Sequence, residues 1–516
     1  MVSATTALSL TVVTLVLFTA LGVWYSRGRI RSVEDFISAR GTTGRGMTTA
    51  SLIASVMGVW ILLAPAEAGA AFGGIAAVLG YAVGEGLPML AYAELGPRIR
   101  RLIPEGHSLT EFALARYGPA MYAFVLVVSI FYMFIFLAAE LTGITSAFFL
   151  IAEVPRWQTA VLIGGFVLVY TAYGGLRASI FTDTVQTLLI LPLLVIAAVG
   201  AVLALGGTGA VHRQVVAADP QLLNPGFFTG LRFGLWVAIA ILGAELINQT
   251  WWQRIYAARD ETTLRRSFRT AAAANFLVVF LAGLFGVIAR GYVDLVVDPT
   301  NPGYNASIAF FVLLTEAFPD PVVLGVTLLA PLLFFSTAYT LSNAISCIAP
   351  ADHPRALTNP HDRTLTLGAR LLTVVVAVAA ILVSLRARSV LQLFLLADLF
   401  GAAVMVPLLY GLYSERATGT GVLVASLAGL LVGLVFFQNP LIRGGMEAIP
   451  LIGPALPRPD FLWAFVGAAG VSSVLTVLTS RLTPDRFDLD RLAITVRRLD
   501  STEATDGGVD QECDRR

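Results

Sequence analysis

The chain is 516 residues long, 57% hydrophobic and only 13% charged, with a net charge of +1 and a mean hydropathy of +0.80. That balance describes a polytopic membrane protein, excludes most soluble enzymology and leaves no nucleic-acid footprint. All 34 basic residues are Arg; the two cysteines (Cys347, Cys513) offer no disulfide framework or thiolate site, and the four histidines (His107, His212, His353, His361) lie in or beside loops without ligand spacing.

The first apolar run, residues 6–26, has no basic segment before it and is followed by Arg27, Arg29 and Arg31. That polarity suits an uncleaved first helix with its N-terminus outside. Runs of about 20 apolar residues cross a bilayer as helices. Such runs recur at approximately 6–26, 49–71, 74–96, 120–149, 157–173, 182–206, 231–252, 270–290, 321–346, 366–386, 390–412, 419–438 and 461–480, about thirteen spans in all. Arg residues crowd alternate loops: Arg40 and Arg45, then Arg98, Arg100, Arg101 and Arg116, then Arg177, then Arg254 through Arg269, then Arg355 and Arg363, then Arg416, then the tail from Arg481. The opposite loops carry fewer, with Arg386 and Arg388 as the exception. The excess marks the cytoplasmic side, so the expected topology is N-out and C-in. Arg254, Arg259, Arg265 and Arg266 read as topology determinants.

Two loop stretches stand out. Residues 305–317 are apolar but too short to span, as in a re-entrant or surface helix. Residues 439–460 carry Pro440, Pro450, Pro454, Pro457 and Pro459 and read as irregular. The chain divides into a transmembrane domain over 1–481, with a core at about 49–412, and a short polar cytoplasmic tail over 482–516 with no room for a further domain of ordinary size.

The second and seventh spans are interrupted. The second holds Gly58 mid-span, with Pro65 and Glu67 beyond it; the seventh holds Gly243, Glu245, Asn248 and Gln249. Lying five spans apart, they open two blocks, spans 2–6 and 7–11, whose odd length inverts one against the other. Broken helices at matching positions of inverted repeats are where a transporter builds its midplane site; close packing through small residues explains the glycines equally well.

Four strings in order carry a family likeness: YTAYGGLRASIFTDTVQ (Tyr170 to Gln186), NQTWWQRIYAARD (Asn248 to Asp260), FFSTAYTLSNA (Phe334 to Ala344) and YGLYSERATGTG (Tyr410 to Gly421). Together they resemble the sodium:solute symporter family. The resemblance implies an all-α, LeuT-type 5+5 inverted-repeat core and an inner-membrane, multi-pass transporter rather than an enzyme. It implies Na+ as the coupling ion, held by the Ser336–Thr337 dyad and by Ala54, Met57 and Leu333. Adjacent hydroxyls are hard oxygen ligands suited to a desolvated cation, although such hydroxyls also bond back to their own helix. Asp183, near the start of the sixth span, is implied as a second ion site or a cytoplasmic gate; simple helix capping accounts for it as well.

The resemblance places solute between spans 2, 3, 4, 7 and 11, with Trp60, Glu85, Glu140, Glu245 and Asn248 as candidates. Intramembrane acids are costly and face a cavity or a partner. Glu140 and Asp398 read more readily as structural. Val56 replaces the Asp of the proline-transporting branch, and Val56, Ile61 and Ile241 are apolar where the sugar branch is polar. The Pro104 to Gly118 string is similar to the urea-active-transporter branch. The implied function is sodium-coupled symport of a small polar organic solute, urea or amino-acid-like, by alternating access. A proton-coupled symporter and a transporter-like sensor remain open as alternatives.

Ser336→Ala is expected to abolish sodium-dependent uptake while the protein still folds. A sodium titration of uptake by the reconstituted variant checks this, and an unchanged titration removes the assignment.

Overall fold

The computed structural model describes residues 3–27, 38–299, 301–327, 330–334, 337, 362–448 and 453–496. Ser336, Arg29, Arg31, Arg355, Cys347, Cys513, His353, His361 and most of the Phe334–Ala344 string lie outside the described residues.

Secondary structure is helical, apart from an isolated bridge between Thr43 and Ala258 among the described residues. The helices are α1 (Ala4–Ser26), α2 (Arg45–Val56), α3 (Ala64–Ala71), α4 (Gly74–Leu102), α5 (Leu109–Tyr117), α6 (Pro119–Ala152), α7 (Arg156–Ala204), α8 (Thr208–Ala218), α9 (Phe228–Leu246), α10 (Gln249–Ala257) and α11 (Glu261–Tyr292). There follow α12 (Ala309–Ala317), α13 (Asp320–Thr327), α14 (Asp362–Ser384), α15 (Val390–Tyr410), α16 (Gly419–Phe436), α17 (Pro440–Glu447), α18 (Phe461–Leu482) and α19 (Arg491–Thr495). Nine described helices are long and apolar enough to cross a membrane, and α2 with the segment Val59–Ala71 forms a tenth, bent by 60°.

Three expected spans account for the difference from thirteen. Half of residues 321–346 fall outside the described set. Residues 366–386 lie on α14, of which the apolar part is Val374–Ser384. The fifth and sixth spans are not separated by a turn: α7 runs unbroken for 49 residues, roughly 74 Å at 1.5 Å per residue. Paired glycines lower helix propensity by about 1 kcal/mol each without forbidding the helix, and the backbone of Gly174 and Gly175 stays helical.

Residues 305–317 form a 3-10 turn and the nine-residue α12, whose Phe310 and Phe311 are buried. The proline-rich stretch is less irregular than expected. Pro440 opens α17, because the first helical turn needs no N–H from that residue. The tail is not wholly free of the domain: the Phe487 N–H donates to the Glu415 carbonyl, and Leu492 and Val496 are buried.

α4 packs against α9 and α11, α9 against α15, and α15 against α6. These contacts are backbone-close where small residues face each other, as membrane packing favours. A Cβ at Gly243 would lie 2.5 Å from the Ala402 nitrogen, and one at Gly401 2.6 Å from Ala244 Cα. α11 begins at Asp260, which accepts the Thr263 N–H at 2.7 Å; that bond first, and Arg259 after it, hold its carboxyl below the usual range.

Gly243→Val is expected to force α9 and α15 apart at a cost of about 1–3 kcal/mol. A lowered melting temperature of the detergent-purified variant is the readout, and an unchanged melt contradicts the backbone contact.

Candidate functional site

The break in the second span sits at Met57 and Gly58, which separate α2 from a 3-10 turn at Val59–Leu62. A broken membrane helix orphans backbone groups that no water can reach. Here protein atoms take them. Glu140 of α6 accepts the Val59 N–H at 2.8 Å, and the Trp60 indole donates to the Val56 carbonyl at 3.0 Å. Gly58 is required at this point, because a Cβ would meet Glu140 Oε1 at 1.9 Å. The seventh span breaks at Ile247 and Asn248, between α9 and α10. Tyr92 donates its hydroxyl to the Leu246 carbonyl at 2.8 Å, and the Asn248 side chain accepts the Thr250 N–H at 2.9 Å.

Between the two breaks lies a cavity lined by Trp60, Tyr81, Glu85, Tyr132, Phe136, Ile241, Ala244, Glu245, Phe394 and Asp398. Its walls come from the broken span, α4, α6, α9 and α15. The cavity is small, with room for one or two waters. Glu245 is held by three donors: Tyr132 hydroxyl at 2.7 Å, Trp251 indole at 2.5 Å and Asn248 amide at 3.1 Å. Glu85 and Asp398 are 5% and 6% exposed.

Of the expected solute residues, Trp60, Glu85 and Glu245 therefore meet in one cavity. Glu140 caps the helix break instead, and Asn248 caps α10 while steadying Glu245. Asp398 joins the cavity although its sequence reads as structural, and Tyr81, Tyr132, Phe136 and Phe394 join it without having been marked at all.

Two of the expected ion ligands, Met57 and Leu333, line a second cavity, and Ala54 and Thr337 are not among its lining residues. Met57 and Leu333 line it together with Ile61, Leu62, Ile190, Leu194 and Val278, and about 10 Å³ of it admits a water-sized centre. Ala54 is fully buried. Thr337 is buried, and its hydroxyl has no hydrogen-bond partner among the described residues, so it does not bond back to its own helix.

Asp183 sits in an ion-pair network on the Arg-rich side of the break. Arg254 of α10 reaches its carboxylate at 3.1 Å, with the two side chains 1% and 0% exposed. Ser51 of α2 donates to Asp183 at 2.8 Å, and Arg254 donates to Ser55 at 2.9 Å. Arg254 is thus a buried structural partner, not only a topology determinant; a loop Arg in sequence gives no sign of this. On the opposite side, the buried Glu67 of α3 accepts from Tyr304 at 2.5 Å and from Ser389 at 2.9 Å, and Ser389 in turn caps α15. Outside the spans, burial raises the Tyr256 phenol above its ordinary range, partly offset by Arg40 and Arg100.

The sodium:solute symporter family model matches residues 36–429. The spermidine transporter of Candida albicans is 28% identical over 434 residues, covering 82% of this chain and 78% of that protein. The probable urea active transporter 1 of Schizosaccharomyces pombe is 21% identical, covering 91% and 74%. The osmoregulated proline transporter of Bacillus subtilis is 25% identical, covering 83% and 88%. The fold is similar to that of a Na+-coupled sialic acid symporter solved substrate-bound and outward-open, with a TM-score of 0.73 at 17% identity over 93% of this chain and 98% of that one.

Removing one member of a buried ion pair strands the other, at about 3–5 kcal/mol. Arg254→Ala and Asp183→Ala are each expected to lower stability by that order, and the double variant to recover part of it. A double-mutant cycle on thermal unfolding reads the coupling, and additive losses contradict it.

Proposed function

The chain belongs to the sodium:solute symporter family, and from that premise we propose that it couples the entry of Na+ to the uptake of a small organic solute by alternating access. It is a multi-pass plasma-membrane protein and a solute symporter by kinship with transporters. The Arg-rich loops, in this reading, face the cytoplasm. The observation that carries the reading is the cavity between the two helix breaks, onto which three carboxylates open, the arrangement expected of a midplane site.

Sodium would sit beside that cavity on Ala54, Met57, Leu333, Ser336 and Thr337. The buried, unpartnered Thr337 hydroxyl supports this placement, whereas the small cavity at Met57 and Leu333 presents no polar atom and adds nothing to it. The lining side chains are apolar, so the oxygens would come from carbonyls freed at the break and from the hydroxyl dyad. The motor is adequate. A potential of ~100 mV supplies about 2.3 kcal/mol per charge, and a tenfold sodium gradient about 1.4 kcal/mol. One sodium then concentrates a neutral solute roughly 500-fold.

Asp183 fits a gate better than a second ion site, because the Arg254 guanidinium already neutralises it. The Arg254–Asp183 network would close the cytoplasmic side, and Glu67 with Tyr304 and Ser389 the outer side. A second reading, proton coupling, is favoured by one observation: Glu85 and Asp398 are buried without a basic partner at the cavity.

Thr337→Ala in proteoliposomes is expected to raise the sodium concentration for half-maximal uptake by at least about tenfold, the loss of roughly 1.4 kcal/mol of ion binding. Uptake driven by a pH gradient in sodium-free buffer, with no response to sodium, replaces sodium by protons.

A further inference from the structure

We propose that the solute is an alkyl diamine or longer polyamine, bound as a dication in a more open state of the carrier than this one, whose cavity has room for one or two waters, with its ammonium groups on Glu85 and Asp398 and its methylene chain against the aromatic wall. The inference rests on the cavity being the solute site.

The charge balance carries it. Three carboxylates face one small cavity, and no basic side chain lines it. A buried charge is tolerated when it is paired or well hydrogen-bonded. Glu245 meets that condition through three donors. Glu85 and Asp398 do not: both are more than nine-tenths buried, both line the cavity, and neither has a hydrogen-bond or ion-pair partner among the described residues. Two unpaired acids on opposing helices, α4 and α15, call for two positive charges from the ligand. Urea brings none, and a zwitterionic amino acid adds a carboxylate to a site already acidic.

The remaining wall fits the same chemistry. Trp60 lies 5.6 Å from Phe394 edge-on and 6.2 Å from Tyr81, centroid to centroid. Aromatic faces attract ammonium groups and cover the hydrocarbon between them. An ammonium group donates three hydrogen bonds and accepts none, which matches an acceptor-only pair. Glu245, already committed to its three donors, adds field without needing a contact.

The test uses full-length protein in proteoliposomes under a sodium gradient, with labelled 1,4-diaminobutane, spermidine, butylamine, proline and urea. Saturable diamine uptake is expected, with urea in hundredfold excess failing to compete. Losing one partner of a buried charge pair costs on the order of 30-fold or more in affinity. Wild type should therefore prefer diaminobutane over butylamine by about that factor. Asp398→Asn and Glu85→Gln should each erase this preference, an effect that a merely structural carboxylate would not produce. Should a variant fail to fold, the wild-type competition series and calorimetric titration with diaminobutane still decide. Sodium-driven uptake of urea or proline, with diamines neither entering nor competing, overturns the inference and leaves symport standing. Diamine uptake indifferent to sodium supports the inference and overturns the coupling. Absence of diamine binding to the folded protein overturns the inference outright.

Discussion

No water reaches a broken helix in the hydrocarbon layer, and the rest of this structure depends on how that debt is met. The break at Met57 and Gly58 exposes backbone groups that protein atoms must satisfy. Glu140 takes the Val59 N–H from across the bundle, and Trp60 turns its own indole back to the Val56 carbonyl. The first ties α6 to the broken span; the second fixes the ring that becomes a wall of the cavity. The same logic recurs at the seventh span, where Tyr92 serves Leu246 and Asn248 serves both α10 and Glu245. The cavity is thus a by-product of satisfying two helix breaks.

Polar residues are arranged in three tiers along the broken span. The Arg254–Asp183–Ser51–Ser55 network lies on the Arg-rich side, the acidic cavity in the middle, and Glu67 with Tyr304 and Ser389 beyond it. Each outer tier joins a half of the broken span to a different neighbour, α2 to α7 and α10, and α3 to α15. Separate attachment of the two halves is what the proposed alternating access would require, one end loosening while the other stays closed.

Much of this was legible in the residues. The spacing of apolar runs shows the interrupted second and seventh spans, and the family resemblance names spans 2, 3, 4, 7 and 11; of the five residues it suggested, Trp60, Glu85 and Glu245 line one cavity in the structure. What escaped depends on register across the bundle. Asp398 looks like a lone structural acid until α15 is turned to face α4. Arg254 looks like one of several loop arginines until α10 folds it back under α2. The Pro104 to Gly118 string packs on two of the other signature strings: Arg116 and Tyr117 donate to the carbonyls of Gly411, Ser414, Pro407 and Leu408 at the end of α15, while Gln249 bonds the Leu109 N–H and the His107 carbonyl. Pairing at such sequence distance leaves no local trace.

Under the proposed loading, the unpaired carboxylates would also decide where voltage acts. With a dication and a sodium ion aboard, the three acids of the cavity are fully balanced, and the loaded site crosses the field as a neutral body. Emptied, the same site would return with whatever negative charge its unpaired acids retain. An inside-negative potential pushes that charge outward, at up to about 2.3 kcal/mol per charge per 100 mV. The electrical work of the cycle then falls on resetting the vacant carrier, and polarisation of the membrane sets how soon it faces outward again.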